Sequence, residues 1–391
     1  MKVSTYKKIY AFVIMIGPVV CQYSIANVME LDIVAMLIVM LIGFSAGIRS
    51  KGVQRNEITL LIIYTATVTL CNLLFGSKYA EVQDIILRCG RYCLIMYFVL
   101  LKSIDYFDYG IALKYYRKIV YFAFLYIVIQ AFAYYTMGIV LPNKIGENTS
   151  NLYVEGFGRL RSFYSEPAAL SYGILPFTAC SLFGPKYEDK NMMVDAIVSS
   201  VAIILSTSGQ GNIGLAAIWV IWLIIWLRQK KISHSRFAIM LIIIAAAVYL
   251  VGSPIVGFTF GRVNSLGQGG AISARASGYT SLSVLNTMQH VFGTGYGNYI
   301  VRNDYGINTL YSYIYYSSLA DYLFTTGIIG TFMLIVIFIK RFHRSELNVK
   351  ILIVVTLILS LGGAPLSGAN IPLYFSLIFS SYMNATTKQI C

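Results

Sequence analysis

Arg159, Arg161 and Glu166 stand close together in GRLRSFYSEPAALSYG, residues 158–173, directly before an apolar run. A guanidinium is a permanent cation that grips phosphate oxygens as a fork, and a nearby carboxylate can hold that fork or take a proton. Pro167 suits the first turn of a helix, and the residue before a proline avoids helical backbone, so Glu166 is expected to cap the helix that follows. There its charge would lie at the positive end of the helix dipole, which favours the ionised form. Two roles fit: a structural cap tied to Arg161 by an ion pair, or a base that accepts a hydroxyl proton.

A second set lies further on, in RVNSLGQGGAISARASGYTSLSVLNTMQHVFGTGYGNY, residues 262–299. Arg262 and Arg275 flank a glycine-rich turn, and His290 ends a mildly amphipathic segment over 277–291. Gly293, Gly295 and Gly297 then alternate in GTGYG, a spacing that lets backbone N–H groups approach a ligand or forms a tight re-entrant turn. Arg302 follows. A third pair, Arg88 and Arg91, is three residues apart inside an apolar run, so both side chains share one helix face. Their options are a phosphate contact or snorkelling to headgroups. Such cations suit a diphosphate or another anionic headgroup. No Asp-x-Asp triplet is present, so no metal site is expected and arginines are the substitute. The order of candidates for anion binding is Arg161 and Arg275, then Arg159, Arg262 and Arg302, with Arg88 and Arg91 weighed separately. Glu166 is the first candidate for the base and His290 the second, an interfacial hydrogen-bonding role being the alternative for His290.

These residues must be positioned by membrane helices. The chain has 391 residues, 58% hydrophobic and 12% charged, a balance that excludes a soluble domain. A net charge of +14 would suggest nucleic acid in a soluble protein; here it fits Lys and Arg that fix orientation, and no nucleic-acid partner is expected. Spans of about 20 apolar residues are expected near 9–26, 31–48, 58–75, 84–104, 118–138, 167–185, 191–208, 213–227, 237–257, 314–339, 351–363 and 368–383. The first is read as a retained helix. Placing both termini in the cytoplasm puts most of the 30 Lys and Arg residues on that side. Two long connections, 139–166 and 258–313, then fall outside and hold nearly all of the outward cations. They are expected to be two faces of one site in a single membrane domain, 1–391. Cys89 and Cys93, one helical turn apart, read as small packing residues, and most of the 31 tyrosines as an interfacial belt.

The combination resembles the Wzy-type polysaccharide polymerases and the related O-antigen ligases. RSFYSEPAALSYG is similar to the family's "R…F.EPS" segment, and RASGYTSLSVLNTMQHVFGTGYGNY to its arginine, short helix and glycine-rich turn. LADYLFTTGIIGTF, 319–332, resembles the run that enters the next span, and LSTSGQGNIGLA, 205–216, a small-residue corner. These motifs cover about a quarter of the chain. Val291 stands where the family has proline, and TLYSYIYYSSLAD lacks the histidine usual in ligases, which argues against ligase more than polymerase.

The resemblance implies an all-α, GT-C-like fold of about 12 spans, N-in and C-in. It implies a metal-independent glycosyltransferase without cofactor in the bacterial cytoplasmic membrane, its site facing the periplasm or exterior. Its substrates would be undecaprenyl-diphosphate-linked oligosaccharides, with membrane lipid around it and a chain-length regulator protein as partner. The alternatives are a ligase-type transferase and a lipid-linked glycan flippase or transporter. A transporter would carry charged or broken-helix features near the midplane, whereas the unusual residues here lie outside.

Overall fold

The computed structural model describes residues 2–25, 29–46, 56–144, 153–154, 157–158, 160–184, 192–229, 277–300 and 314–387. Its helices are α1 (Val3–Val20), α2 (Leu31–Ser45), α3 (Asn56–Phe75), α4 (Val82–Tyr106), α5 (Tyr109–Met137), α6 (Pro167–Phe183), α7 (Met192–Leu205) and α8 (Gly209–Gln229). After a helical turn at 277–280 and a 3₁₀ turn (Ser281–Val284) come α9 (Thr287–Phe292), α10 (Ser318–Arg344), α11 (Leu347–Gly362) and α12 (Asn370–Thr387). The only described strands are two short antiparallel pairs, β1 (Ser24–Ile25) with β2 (Met29–Glu30), and β3 (Tyr153–Val154) with β4 (Phe157–Gly158).

Helices occupy every expected span except 237–257, which lies outside the described residues. Five are long and apolar enough to cross a membrane: Val3–Val20, Glu57–Phe75, Tyr109–Met137, Gly209–Arg228 and Ser318–Arg344. The outer faces are apolar, with Phe75, Phe122 and Leu41 widely exposed, whereas Ser171, Thr178 and Ser199 are fully buried. That inversion suits a protein solvated by lipid, with polar side chains joining helices inside. The fold is therefore an all-α membrane architecture.

Several boundaries differ from expectation, α1 by six residues at each end, and two of the differences have a capping side chain as their cause. α5 starts at Tyr109 rather than near 118, because the Asp108 carboxylate caps it by accepting from the Ile111 N–H at 3.0 Å. Lys114, Arg117 and Lys118 therefore belong to a helix and not to a loop. α10 starts at Ser318 rather than 314, where the Ser317 hydroxyl accepts from the Ala320 N–H, leaving Tyr315 and Tyr316 in the preceding segment.

α6 is the central helix, buried along nearly all of its length and packed on α5, α7, α8 and α11. Small residues allow this: a Cβ on Gly214 would lie 2.8 Å from Leu175, and the Thr178 hydroxyl donates to that of Ser199 at 2.9 Å. Its entry loop is held by side-chain amides from three other places. Gln22 donates to the Phe163 carbonyl at 2.6 Å, and Asn143 donates to the Tyr164 carbonyl. Gln130 both accepts from the Ser162 N–H at 2.8 Å and donates to its carbonyl at 3.3 Å. Ser162, with φ at 53°, needs that support.

The other loop docks on a break in α10. Gly327 has φ 65° and ψ −168°, which interrupts the helix. Carbonyls that a straight helix would use for its next turn accept from elsewhere. Phe324 takes the Thr294 N–H and Thr325 the Gly295 N–H, both at 2.9 Å, and Thr326 takes the Tyr64 hydroxyl at 3.1 Å. The glycines of GTGYG lie at φ 92°, 90° and 91°. A Cβ on Gly295 would sit 2.7 Å from the Thr69 Cα, and one on Gly297 2.9 Å from the Ile85 carbonyl oxygen. Of the two expectations for these glycines, ligand approach and a tight turn, the close packing fits the turn: they admit α3, α4 and α10.

Gly327→Ala forces a side chain into left-handed backbone, about 1–3 kcal/mol on that ground alone, and aims a Cβ to within 2.5 Å of the Gly293 nitrogen. The expected result is a clear fall in the thermal unfolding midpoint of the detergent-solubilised protein. An unchanged midpoint would mean that the loop does not dock on the kink.

Candidate functional site

A cavity of about 600 Å³ opens where one set of helix ends converges. Pro18 and Cys21 close α1, Glu30 precedes α2, Arg88 and Arg91 occupy the first half of α4, and Glu166 precedes α6. Both long connections line it, through Ser165 and Glu166 on one side and Tyr296, Tyr299 and Tyr316 on the other. Asp321 in the first turn of α10 and Asn370 at the start of α12 complete the wall.

Arg91 is neutralised within the fold. Its two terminal nitrogens pair with the two carboxylate oxygens of Glu30, and one lies 3.7 Å from the Asp32 carboxylate. Asp32 is fully buried, and neither of its oxygens finds a hydrogen bond among the described residues. A buried carboxylate without donors needs a nearby cation, so Arg91 holds α2 against α4 as much as it faces the cavity.

Arg88 is placed differently. One helical turn earlier on the same face, its guanidinium carbon lies 5.5 Å from the centre of the Tyr299 ring, a cation–π distance. Among the described residues it forms no ion pair. Tyr299 donates to Asp321 at 2.7 Å. Burial, reinforced by the Asp321 carboxylate, holds the Tyr299 phenol well above its usual pKa, so it remains a donor. Tyr296 stacks on Tyr92 with ring centres 4.3 Å apart, and Tyr299 meets Tyr316 at 5.1 Å. Arg88 thus lies against a wall of aromatic rings, the kind of surface that stacks on sugars.

Glu166 caps α6 by position, with Pro167 at the first helical residue and extended backbone at φ −153° and ψ 163°. Its carboxylate makes no capping hydrogen bond, and the residue is exposed where it lines the cavity. The expected tie to Arg161 takes another form: Arg161 donates to the Ser165 carbonyl at 2.6 Å, bracing the backbone beside Glu166. The Asn370 side-chain oxygen is also buried without a hydrogen-bond partner among the described residues.

The structure therefore brings Glu166, Arg88 and Arg91 together. Arg161 stands behind that group and does not line the cavity. His290 does not line it either: it lies in the last turn of α9, which packs on α10 outside the cavity. Arg159, Arg262, Arg275 and Arg302 lie outside the described residues. Sequence reading missed Glu30 and Asp32 as partners of Arg91, and Asp321 as the acceptor of the Tyr299 hydroxyl. The available signal was that a membrane-embedded arginine needs a counter-ion, and MELD, 29–32, and LADYL, 319–323, supply acids at span entries.

No protein-family model matches the chain, and no curated protein matches it in sequence. Any functional conclusion therefore rests on the residues and their arrangement.

Arg91→Ala leaves Asp32 buried and uncompensated, a change that costs on the order of 3–5 kcal/mol for buried pairs, with the partial exposure of Arg91 favouring the lower figure. Adding Asp32→Asn should recover part of the loss. Thermal unfolding of both variants checks this, and equal stability of the single and double variants would remove Asp32 as the partner.

Proposed function

We propose that the protein is a glycan polymerase of the bacterial cytoplasmic membrane. It transfers the growing glycan from undecaprenyl diphosphate to a hydroxyl of the next lipid-linked repeat unit, at the outer face. One observation carries this reading. A guanidinium without an ion-pair partner among the described residues, Arg88, shares a cavity with a carboxylate that makes no capping hydrogen bond, Glu166. The other charges that line it have partners: Arg91 is held by Glu30 and Asp32, and Asp321 by Tyr299.

In the reaction, Glu166 takes the proton of the attacking hydroxyl as a new glycosidic C–O bond forms. The bond from the donor sugar's anomeric carbon to the diphosphate oxygen breaks, and the electron pair leaves with the diphosphate. Arg88 meets that growing charge, Arg159, Arg262 and Arg275 are the further cations assigned to it, and Arg161 braces the backbone beside Glu166. Tyr296 and Tyr299 offer ring faces for sugar. No step requires a metal or an organic cofactor. About twelve spans, both termini in the cytoplasm and a regulator of chain length as partner belong to the same reading.

Deletion of the gene should leave single repeat units on the surface acceptor, seen as loss of the glycan ladder on a gel. Loss of every attached unit would point to a ligase or flippase instead. In the complemented strain, Glu166→Gln should slow polymerisation on the order of 10²–10⁴-fold, the usual contribution of a general base. Arg88→Ala should slow it about 10²–10³-fold, as for one lost electrostatic contact. A full ladder from Glu166→Gln at wild-type rate would reduce that residue to a helix cap.

A further inference from the structure

The wall of the candidate cavity holds acceptor atoms that find no donor within the protein. Asp321, in the first turn of α10, is 6% exposed and lines the cavity. Its Oδ1 oxygen accepts from the Tyr299 hydroxyl at 2.7 Å. Among the described residues its Oδ2 oxygen has neither a hydrogen bond nor an ion pair. Asn370, at the start of α12, lines the same cavity, and its side-chain oxygen is buried without a partner among the described residues. Acceptors taken out of water and left unpaired are costly, so both atoms favour a ligand that donates.

A diphosphate brings acceptor oxygens only. It suits Arg88 and leaves Asp321 and Asn370 as they are. A sugar ring brings hydroxyl donors, and an N-acetyl group adds an N–H. Phosphate and sugar are therefore read by different parts of one wall, and Tyr299 divides them. Arg88 lies 5.5 Å from the centre of the Tyr299 ring, whereas Asp321 is held at the hydroxyl edge of the same ring. The rings of Tyr296 and Tyr316 flank Tyr299, with centres 6.1 and 5.1 Å away, and extend the surface on which a pyranose can lie.

The carboxylate also selects among sugars. Donation from Tyr299 and a place in the first turn of a helix both favour its charged form. A uronic acid seated there would bring a second carboxylate against it, and like charges held close in a site poor in water repel. An uncharged sugar meets no such penalty and supplies the missing hydrogen bond.

We propose that Asp321 is a specificity-determining residue, which accepts a hydroxyl of the sugar that carries the diphosphate, and that this sugar is uncharged. The diphosphate lies at Arg88, the ring lies along the tyrosines, and Asn370 accepts from a second donor of the glycan. The inference deepens the glycan reading and rests on it.

The test uses the purified full-length protein in neutral detergent, with binding followed by phosphorus NMR line broadening. The probes are pyrophosphate and the 1-phosphates of glucose, galactose, N-acetylglucosamine and glucuronic acid. At least one uncharged sugar phosphate should bind about tenfold or more tightly than glucuronic acid 1-phosphate, the scale of one hydrogen bond to a charged group. Asp321→Asn should lose most of that difference without weakening pyrophosphate, whereas Arg88→Ala should weaken pyrophosphate. Should Asp321→Asn be poorly folded by its thermal unfolding midpoint, Tyr299→Phe takes its place. That variant keeps the ring beside Arg88, frees Asp321 from its anchor, and should narrow the same difference. Equal binding of acidic and uncharged sugar phosphates to the wild type would overturn the proposal, as would an undiminished difference in the folded variant. Either result, with pyrophosphate still bound through Arg88, leaves the glycan reading in place. Failure of pyrophosphate and of every sugar phosphate to bind would overturn the proposal together with the role of Arg88.

Discussion

Three carbonyl groups in α10 organise the candidate site. In hydrocarbon a helix break leaves carbonyls without water to satisfy them, at a cost of several kcal/mol each. The break at Gly327 is tolerated because Thr294 and Gly295 supply backbone N–H groups to Phe324 and Thr325, and Tyr64 supplies a hydroxyl to Thr326. The loop must therefore lie tight against α3, α4 and α10, and three glycines at positive φ make that approach possible. Once it is docked, Tyr296 and Tyr299 turn toward the cavity with little freedom, and Tyr299 reaches both Asp321 and Arg88.

The two arginines of α4 then differ in their surroundings, and the proposed chemistry falls to one of them. They stand one helical turn apart, yet their surroundings are unlike. Arg91 faces the entry of α2, where Glu30 and Asp32 sit at the favourable end of a helix dipole. Arg88 faces tyrosine rings, which attract a cation without cancelling its charge. A pair of equally paired arginines would give a structural network. A pair with one partnered and one open gives a rigid frame and, in the proposed reaction, a contact for the diphosphate.

Local signals carried much of this fold. Long apolar runs announced the helices because hydropathy depends on composition and not on neighbours, and Glu-Pro announced the start of α6 because proline restricts the residue before it. The spacing of Arg88 and Arg91 gave their common face. Features that depend on distant partners were not legible. GTGYG reads identically whether its glycines approach a ligand or a helix, and only the contacts with Thr69, Ile85 and Thr325 decide. Gly327 in TTGIIG looks like an ordinary small residue of a membrane helix. Glu30 and Asp32 lie far from Arg91 in the chain, and no local pattern joins them. The early start of α5 was legible in principle, through the Asp108 cap, but the Lys and Arg of the next turns suggested a loop.

The amides that fasten the entry of α6 have a consequence for how the protein is made. Gln22, Gln130 and Asn143 all precede residues 162–164 in the chain. As synthesis runs from the N-terminus, that half of the chamber can be completed as soon as α6 leaves the ribosome. The opposite half differs, since Thr294 and Gly295 bind carbonyls of α10 that are made later. The chamber therefore closes only after α10 has been made, when the helices before it have already been inserted.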